Sequence, residues 1–285
     1  MLEMPEIVQR LAAQATLRTT PCGAGEMVWR CWGESQNQNG KRPLVLLHGG
    51  SGSWTHWVRN IDALLAAGHP LWIPDLPGFG DSALPARGSD ADAVIAPLQA
   101  GLQQLLQGQA CDLVGFSFGG MVAGMLLAAH PDVAARLVLV GAPAMGVTSQ
   151  RQFELKAWRH LPTPEAQNDA HRANLAALML HDPAQIDGLA LQMHLANMVN
   201  DRMPRRRLSH TNILARSLAQ VTCPVHAIYG RYDAVYNSWI NQLASAYEQA
   251  SPSFKGLTLL DNAGHWVQFE QPDAFNAALL SALAD

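Results

Sequence analysis

The sequence has almost no excess charge: 19 lysines and arginines stand against 23 aspartates and glutamates, a formal net charge of −4. That balance argues against a general binder of nucleic acid or membrane surfaces, which is usually basic. Cysteine is scarce, with only Cys22, Cys31, Cys111 and Cys223 in the chain. They form no CxxC or other metal-ligand spacing. Two of them lie in apolar strand-like runs, where a free thiol behaves as a small hydrophobe. Free buried thiols in a reducing compartment are therefore expected, with no disulfide and no metal.

Long hydrophobic runs are missing as well. No stretch approaches the roughly 18 uninterrupted apolar residues that a membrane span requires. Met1 to Leu17 carries Glu3 and Glu6 and lacks a basic start followed by an apolar core, so it does not read as a signal peptide. No internal repeat is visible, and the sole charge run is Arg205-Arg206-Arg207. These absences lead to the expectation of a soluble cytoplasmic protein.

What the chain does have is a composition 48% hydrophobic over 285 residues, enough to bury a sizeable core. Short apolar runs alternate with longer helix-like segments. Met27–Trp32 reads as an edge strand, followed by a polar turn over Ser35–Lys41. Further strands are expected at Pro43–Leu47, Pro70–Ile73, Cys111–Gly115, Arg136–Val140, Pro224–Tyr229 and Gly256–Leu260. Helices are expected at Ala91–Gln107, Met121–Ala129, Asn237–Gln249 and Pro272–Leu283. Such alternation predicts an α/β fold, a doubly wound and mostly parallel sheet.

The rhythm breaks after Gly141-Ala142-Pro143. From there to about Ser217 no clear strand is visible, and Pro162, Pro164, Pro183 and Pro204 punctuate a helical composition. Residues 143–217 are read as a helical cap inserted into a core of 1–142 and 218–285. In open α/β sheets the carboxyl edge beneath such an insertion holds the active site.

The strongest chemical signal is Gly115-Phe116-Ser117-Phe118-Gly119-Gly120. It follows a buried strand and opens an apolar helix, the context that gives G-x-S-x-G its meaning. The serine must stand on a sharp strand-to-helix turn so that its hydroxyl projects above the sheet. A serine hydroxyl is a weak nucleophile until a positioned base takes its proton. Among eleven histidines, His265 follows the apolar run Leu257–Leu260 and falls on the same sheet edge. An imidazole in that role needs a carboxylate to fix its tautomer. Asp233, after the Pro224–Tyr229 run, supplies it in the chain order Ser, Asp, His. Asp75 and Asp81 read as braces of the loop Pro74–Ser82. An acyl-transfer site also needs two amides aimed at the developing oxyanion. They are expected from Phe118, beside the serine, and from Gly50 in His48-Gly49-Gly50, with His48 fixing the loop.

These pieces together resemble the α/β-hydrolase superfamily from about residue 26 onward. Within it, Gly264-His265-Trp266-Val267-Gln268-Phe269-Glu270, Phe275-Asn276 and Arg59-Asn60-Ile61 are similar to the carbon–carbon bond hydrolases of aromatic meta-cleavage pathways. The resemblance implies a tryptophan, Trp266, lining the pocket. It also implies a cap arginine gripping the substrate carboxylate, at a position aligned with His194; Arg202 or Arg205–Arg207 would be substitutes. Phe116 stands where those enzymes commonly carry asparagine. Trp54, Phe116, Trp158, His194 and Trp266 are the expected pocket residues. The expected function is cleavage of an ester or an activated C–C bond in a small, largely apolar substrate, with no cofactor and a small molecule as partner. A homo-oligomer is compatible with this reading. Two alternatives remain: a meta-cleavage product hydrolase proper, and a non-catalytic ligand-binding receptor on the same fold.

Overall fold

A computed structural model describes residues 4–34, 40–148, 152–186, 188–203 and 205–284. Residues 35–39 of the expected polar turn lie outside the described residues. Eight strands form one sheet: β1 (Thr16–Cys22), β2 (Gly25–Trp32), β3 (Leu44–Leu47), β4 (Leu71–Pro74), β5 (Cys111–Phe116), β6 (Ala134–Val140), β7 (Val225–Gly230) and β8 (Phe254–Leu260). Their spatial order is β1-β2-β4-β3-β5-β6-β7-β8. Only the pairs β1–β2 and β2–β4 are antiparallel; the others are parallel.

The central strands are apolar on both faces because helices cover both. In β3, Val45 and Leu47 enter one core cluster while Leu44 and Leu46 enter the other. This is the two-residue alternation of a pleated strand expressed as two cores. Each such side chain contributes roughly 1.5–3 kcal/mol when fully buried. The chain runs from β3 to β4 on one side, then returns to place β5 on the other side of β3. The crevice outside the carboxyl ends of β3 and β5 is thus the switch point, where ligands of open α/β sheets bind.

Two expectations are corrected. Met27–Trp32 is not an edge strand, because β1 pairs outside it from Thr16↔Cys31 to Cys22↔Gly25. The outer strand has the composition TLRTTPC and is largely exposed. Edge strands are polar and tolerate proline, so β1 lacks the apolar signal by which the interior strands are found. The single helix expected over Asn237–Gln249 is a 3₁₀ segment, Asn237–Gln242, leading into an α-helix at Leu243–Ala250.

Between β6 and β7 the described residues hold helices and no strand, including Pro164–Asn174, Gly188–Val199 and Ile213–Leu218. The last of these packs on the helix Phe118–Ala129, where a β-carbon on Gly124 would lie 2.3 Å from Leu214. This contact ties the end of the segment between β6 and β7 to the helix that follows β5. Cys22, Cys31, Cys111 and Cys223 are buried and free. Among the described residues no helix is long and apolar enough to cross a membrane.

Candidate active site

Ser117 stands where β5 meets the helix Phe118–Ala129, with φ 50° and ψ −116°. A non-glycine residue rarely adopts such a conformation, and it persists only where surrounding structure holds it. Here the Ser117 N–H donates to the Val140 carbonyl of β6 at 2.7 Å, while the Ser117 carbonyl accepts from Gly120 and Met121. The turn also demands glycine next door. A β-carbon on Gly119 would fall 2.5 Å from the His48 carbonyl oxygen, a contact no side chain tolerates.

Parallel register brings the other parts level. Leu47 pairs with Gly115, which sets the loop after β3 beside Ser117. Gly230 pairs with Leu260, so the loops after β7 and β8 leave the same edge together. Across that edge His265 Nε2 is 2.9 Å from Ser117 Oγ, and His265 Nδ1 is 2.9 Å from both Asp233 carboxylate oxygens. Asp233 is fully buried and His265 nearly so. A carboxylate can only accept, so Nδ1 carries the proton and Nε2 is left to accept from the serine hydroxyl. Asp233 Oδ1 also accepts from the Val235 N–H, which fixes the carboxylate plane.

The loop after β3 is held through two imidazoles. His48 Nε2 accepts from the Leu76 N–H at 2.8 Å, which leaves Nδ1 to donate to the Gly49 carbonyl at 2.8 Å. His56 Nδ1 accepts the Gly49 N–H at 3.2 Å. Gly49's own amide is thereby occupied, and the next residue, Gly50, lines the cavity above Ser117. Phe118 contributes the first amide of its helix, which has no carbonyl to reach within that helix. Burial holds both His48 and His56 below their ordinary pKa, and neighbouring His48, His194 and His265 depress His56 further. Neutral imidazoles are what these bonds require.

Asp75 and Asp81 are engaged elsewhere. Asp75 accepts from the Trp54 and Asp81 amides and pairs with Arg30, which also binds Asp81.

A cavity of about 260 Å³ opens over Ser117. Gly50, Phe116, Phe118 and His265 lie on its wall with apolar Met145, Phe153, Leu178, Met179 and Val235. Four expected pocket residues lie off that wall. Trp54 packs against Trp32, with the Arg30 guanidinium over its ring. Trp158 lies on His171. His194 bonds His171 Nδ1 at 3.1 Å, and burial pushes it down to about 3. Trp266 stacks on Phe269 and gives its indole N–H to the His56 carbonyl. The imidazole of His194 and the indole N–H of Trp266 thus find their partners, His171 and His56, off the cavity wall.

The residues that resembled meta-cleavage hydrolases form a brace. Arg59 Nη1 donates to the Phe269 carbonyl at 2.8 Å, and Asn60 Nδ2 to the Gln268 carbonyl at 3.1 Å. Glu270 accepts from the Gly264 and Asp182 amides, steadying the loop that carries His265. Sequence reasoning missed His56, Asp201 and Glu270, and gave Arg206 only as a substitute grip on a substrate carboxylate. Of the three missed, only Glu270 had a signal, its place in the Gly264–Glu270 run. Among the described residues no group of three or more His, Cys, Asp or Glu side chains is placed to hold a metal ion.

A strained serine above a parallel sheet, an imidazole and a carboxylate in line, and a cavity over the hydroxyl thus stand together at the carboxyl edge of an α/β fold. The chain belongs to the alpha/beta hydrolase family, whose model matches residues 44–278, and it is a hydrolase of that family. It is 24% identical over 262 residues to a 2-hydroxy-6-oxononadienedioate/2-hydroxy-6-oxononatrienedioate hydrolase of a Pseudomonas species, covering 86% of this chain and 89% of that protein. Among solved structures it is similar to an esterase from a Rhodococcus species, with TM-score 0.73, 25% identity and coverage of 94% and 98%. It also shares the fold of a meta-cleavage product hydrolase from Pseudomonas fluorescens, with TM-score 0.72, 20% identity and coverage of 95% and 98%.

Proposed function

We propose that the protein is a serine esterase acting on small, uncharged, largely apolar esters, with Ser117 as nucleophile, His265 as base and Asp233 as its orienting carboxylate. The Ser117 oxygen attacks the substrate carbonyl as its proton passes to His265 Nε2. The amides of Gly50 and Phe118 receive the negative charge that develops on the carbonyl oxygen. Collapse breaks the bond to the alkoxy group, which takes the proton from His265 and leaves an acyl group on Ser117. Water then repeats the sequence, giving its proton to His265 and releasing the acid. Residues 143–217 act as the cap that roofs the cavity, and the enzyme works in a reducing, cytoplasmic setting.

The observation that carries the ester reading is the charge on the cavity wall. Arg206 is the one lysine or arginine lining it among the described residues, and both Asp201 carboxylate oxygens already bind its Nη1. A substrate carboxylate would find that cation neutralised. The Pseudomonas relative, by its name, acts on a dioate, and its likeness favours C–C bond cleavage as the second reading. Turnover of p-nitrophenyl butyrate and of a dienoate ring-fission product, measured side by side, separates them. The ester reading expects the first to be hydrolysed far faster; preferential cleavage of the dienoate overturns it.

A further inference from the structure

The amide of Gly50 is followed by a residue in an unfavourable conformation. Ser51 has φ 52°, a left-handed value that a side chain makes costly. Its side chain is held on both sides by the inserted segment. Ser51 Oγ donates to Asp201 Oδ2 at 2.5 Å and accepts from Arg206 Nη2 at 2.9 Å. Arg206 Nη1 closes the ring by binding Asp201 Oδ1 and Oδ2 at 2.8 and 2.9 Å. Donor and acceptor roles are fixed all the way round, so the hydroxyl has one satisfied orientation. The carboxylate is largely buried, with 8% of its side chain exposed. Burial alone would raise its pKa, but the bonds from Arg206 and Ser51 more than offset this and keep it ionised.

The ring does not float. The Arg202 N–H donates to the Gly78 carbonyl, and its guanidinium binds the carbonyls of Gly80 and Ser82. On the other flank Asn197 bonds the hydroxyls of Ser53 and Thr55. Asn197, Asp201 and Arg206 thus grip the segment after β3 at two points, Ser51 and the Ser53–Thr55 pair, while Arg202 anchors them to the loop after β4. The Arg206 guanidinium itself lies against Gly50, with Nε 3.4 Å from where a β-carbon would sit. From these contacts we infer that Asp201 and Arg206 are positioning residues, a strap that holds Ser51 left-handed and so aims the Gly50 amide at the developing oxyanion. This rests on the reading of Gly50 as an oxyanion donor. It also makes the cap part of the catalytic geometry: that amide is set only while Asp201 and Arg206 lie in place.

The strap makes a pattern that simple destabilisation does not. S51A keeps the unfavourable conformation and loses the tether, whereas S51G loses the tether but adopts a left-handed φ without cost. With p-nitrophenyl acetate, S51A, D201N and R206M are each expected to lower kcat about 10- to 100-fold while KM changes little. S51G retains more activity than S51A, R206K recovers part of the R206M loss, and S51A/R206M is no worse than the poorer single variant. Melting temperatures taken in parallel restrict the comparison to folded variants, and S51A and R206K are mild enough to keep it decisive. Folded variants with kcat within twofold of wild type overturn the strap. So does a rise in KM with kcat unchanged, which would make Arg206 a substrate contact. A wild-type protein that a fluorophosphonate fails to label at Ser117 refutes the esterase reading itself, whereas a labelled wild type with equally fast variants refutes only the strap.

Discussion

His265 Nδ1 lies 2.9 Å from each carboxylate oxygen of Asp233, a symmetric contact between two buried groups. The carboxylate selects the imidazole tautomer and, in the proposed mechanism, stabilises the cation formed when Ser117 gives up its proton. An amide at this position keeps the shape but offers an N–H to Nδ1, which favours the wrong tautomer. Asp233→Asn is therefore expected to lower kcat on the order of 10³- to 10⁴-fold with KM nearly unchanged. Steady-state kinetics on a p-nitrophenyl ester check it, and a loss under tenfold would show that Asp233 is not the orienting group.

Gly52 tests the second imidazole. A β-carbon there would lie 2.2 Å from His56 Cε1 and 2.5 Å from Nδ1, the atom that accepts the Gly49 amide. Gly52→Ala must push the ring away and release that amide, loosening the loop that carries Gly50. A kcat loss of about 10- to 100-fold is expected, since misplacement by about 1 Å costs that much. Overpacking of this kind also costs about 1–3 kcal/mol of stability, readable by urea unfolding. Unchanged kcat and stability would mean that the ring moves freely and does not set the loop.

Buried neutral histidines set an acid limit on stability. Burial holds His48 and His56 below their ordinary value of 6.5, so the folded protein resists protonating them. The unfolded chain takes up those protons once pH falls below about 6.5. Stability is therefore full above that pH and declines below it, by up to about 1.4 kcal/mol per pH unit for each histidine kept neutral. Urea midpoints at pH 7.5, 6.5 and 5.5 are expected to be level over the first step and to fall over the second. A midpoint flat to pH 5.5 would contradict the burial of these imidazoles.

Much of this arrangement was legible in the sequence because it depends on local rules. An apolar run such as Leu44–Leu47 has few options but a central strand, and Gly115–Gly120 after such a run fixes the turn that lifts Ser117. The positions of Asp233 and His265 followed from strand ends alone. What escaped depends on partners distant in sequence. Trp266 follows His265 directly, yet its indole N–H turns to the His56 carbonyl, 210 residues away in the chain. Arg206 stood in the sequence as part of a basic run offered to a substrate carboxylate; its actual partners are Asp201, on its own loop, and Ser51, 155 residues away. The outer strand β1 escaped for the opposite reason, since a strand with one exposed edge has no need of the apolar signal.

The account depends on the nucleophilicity of Ser117, and covalent labelling measures it most directly. A fluorophosphonate probe, followed by intact mass and peptide mapping, is expected to add one probe per wild-type chain on the peptide containing Ser117. Ser117→Ala, with an unchanged melting temperature, is expected to take up none. A wild-type protein that stays unlabelled, or a Ser117→Ala variant that is labelled as fast, would contradict the assignment of this serine as the reacting group.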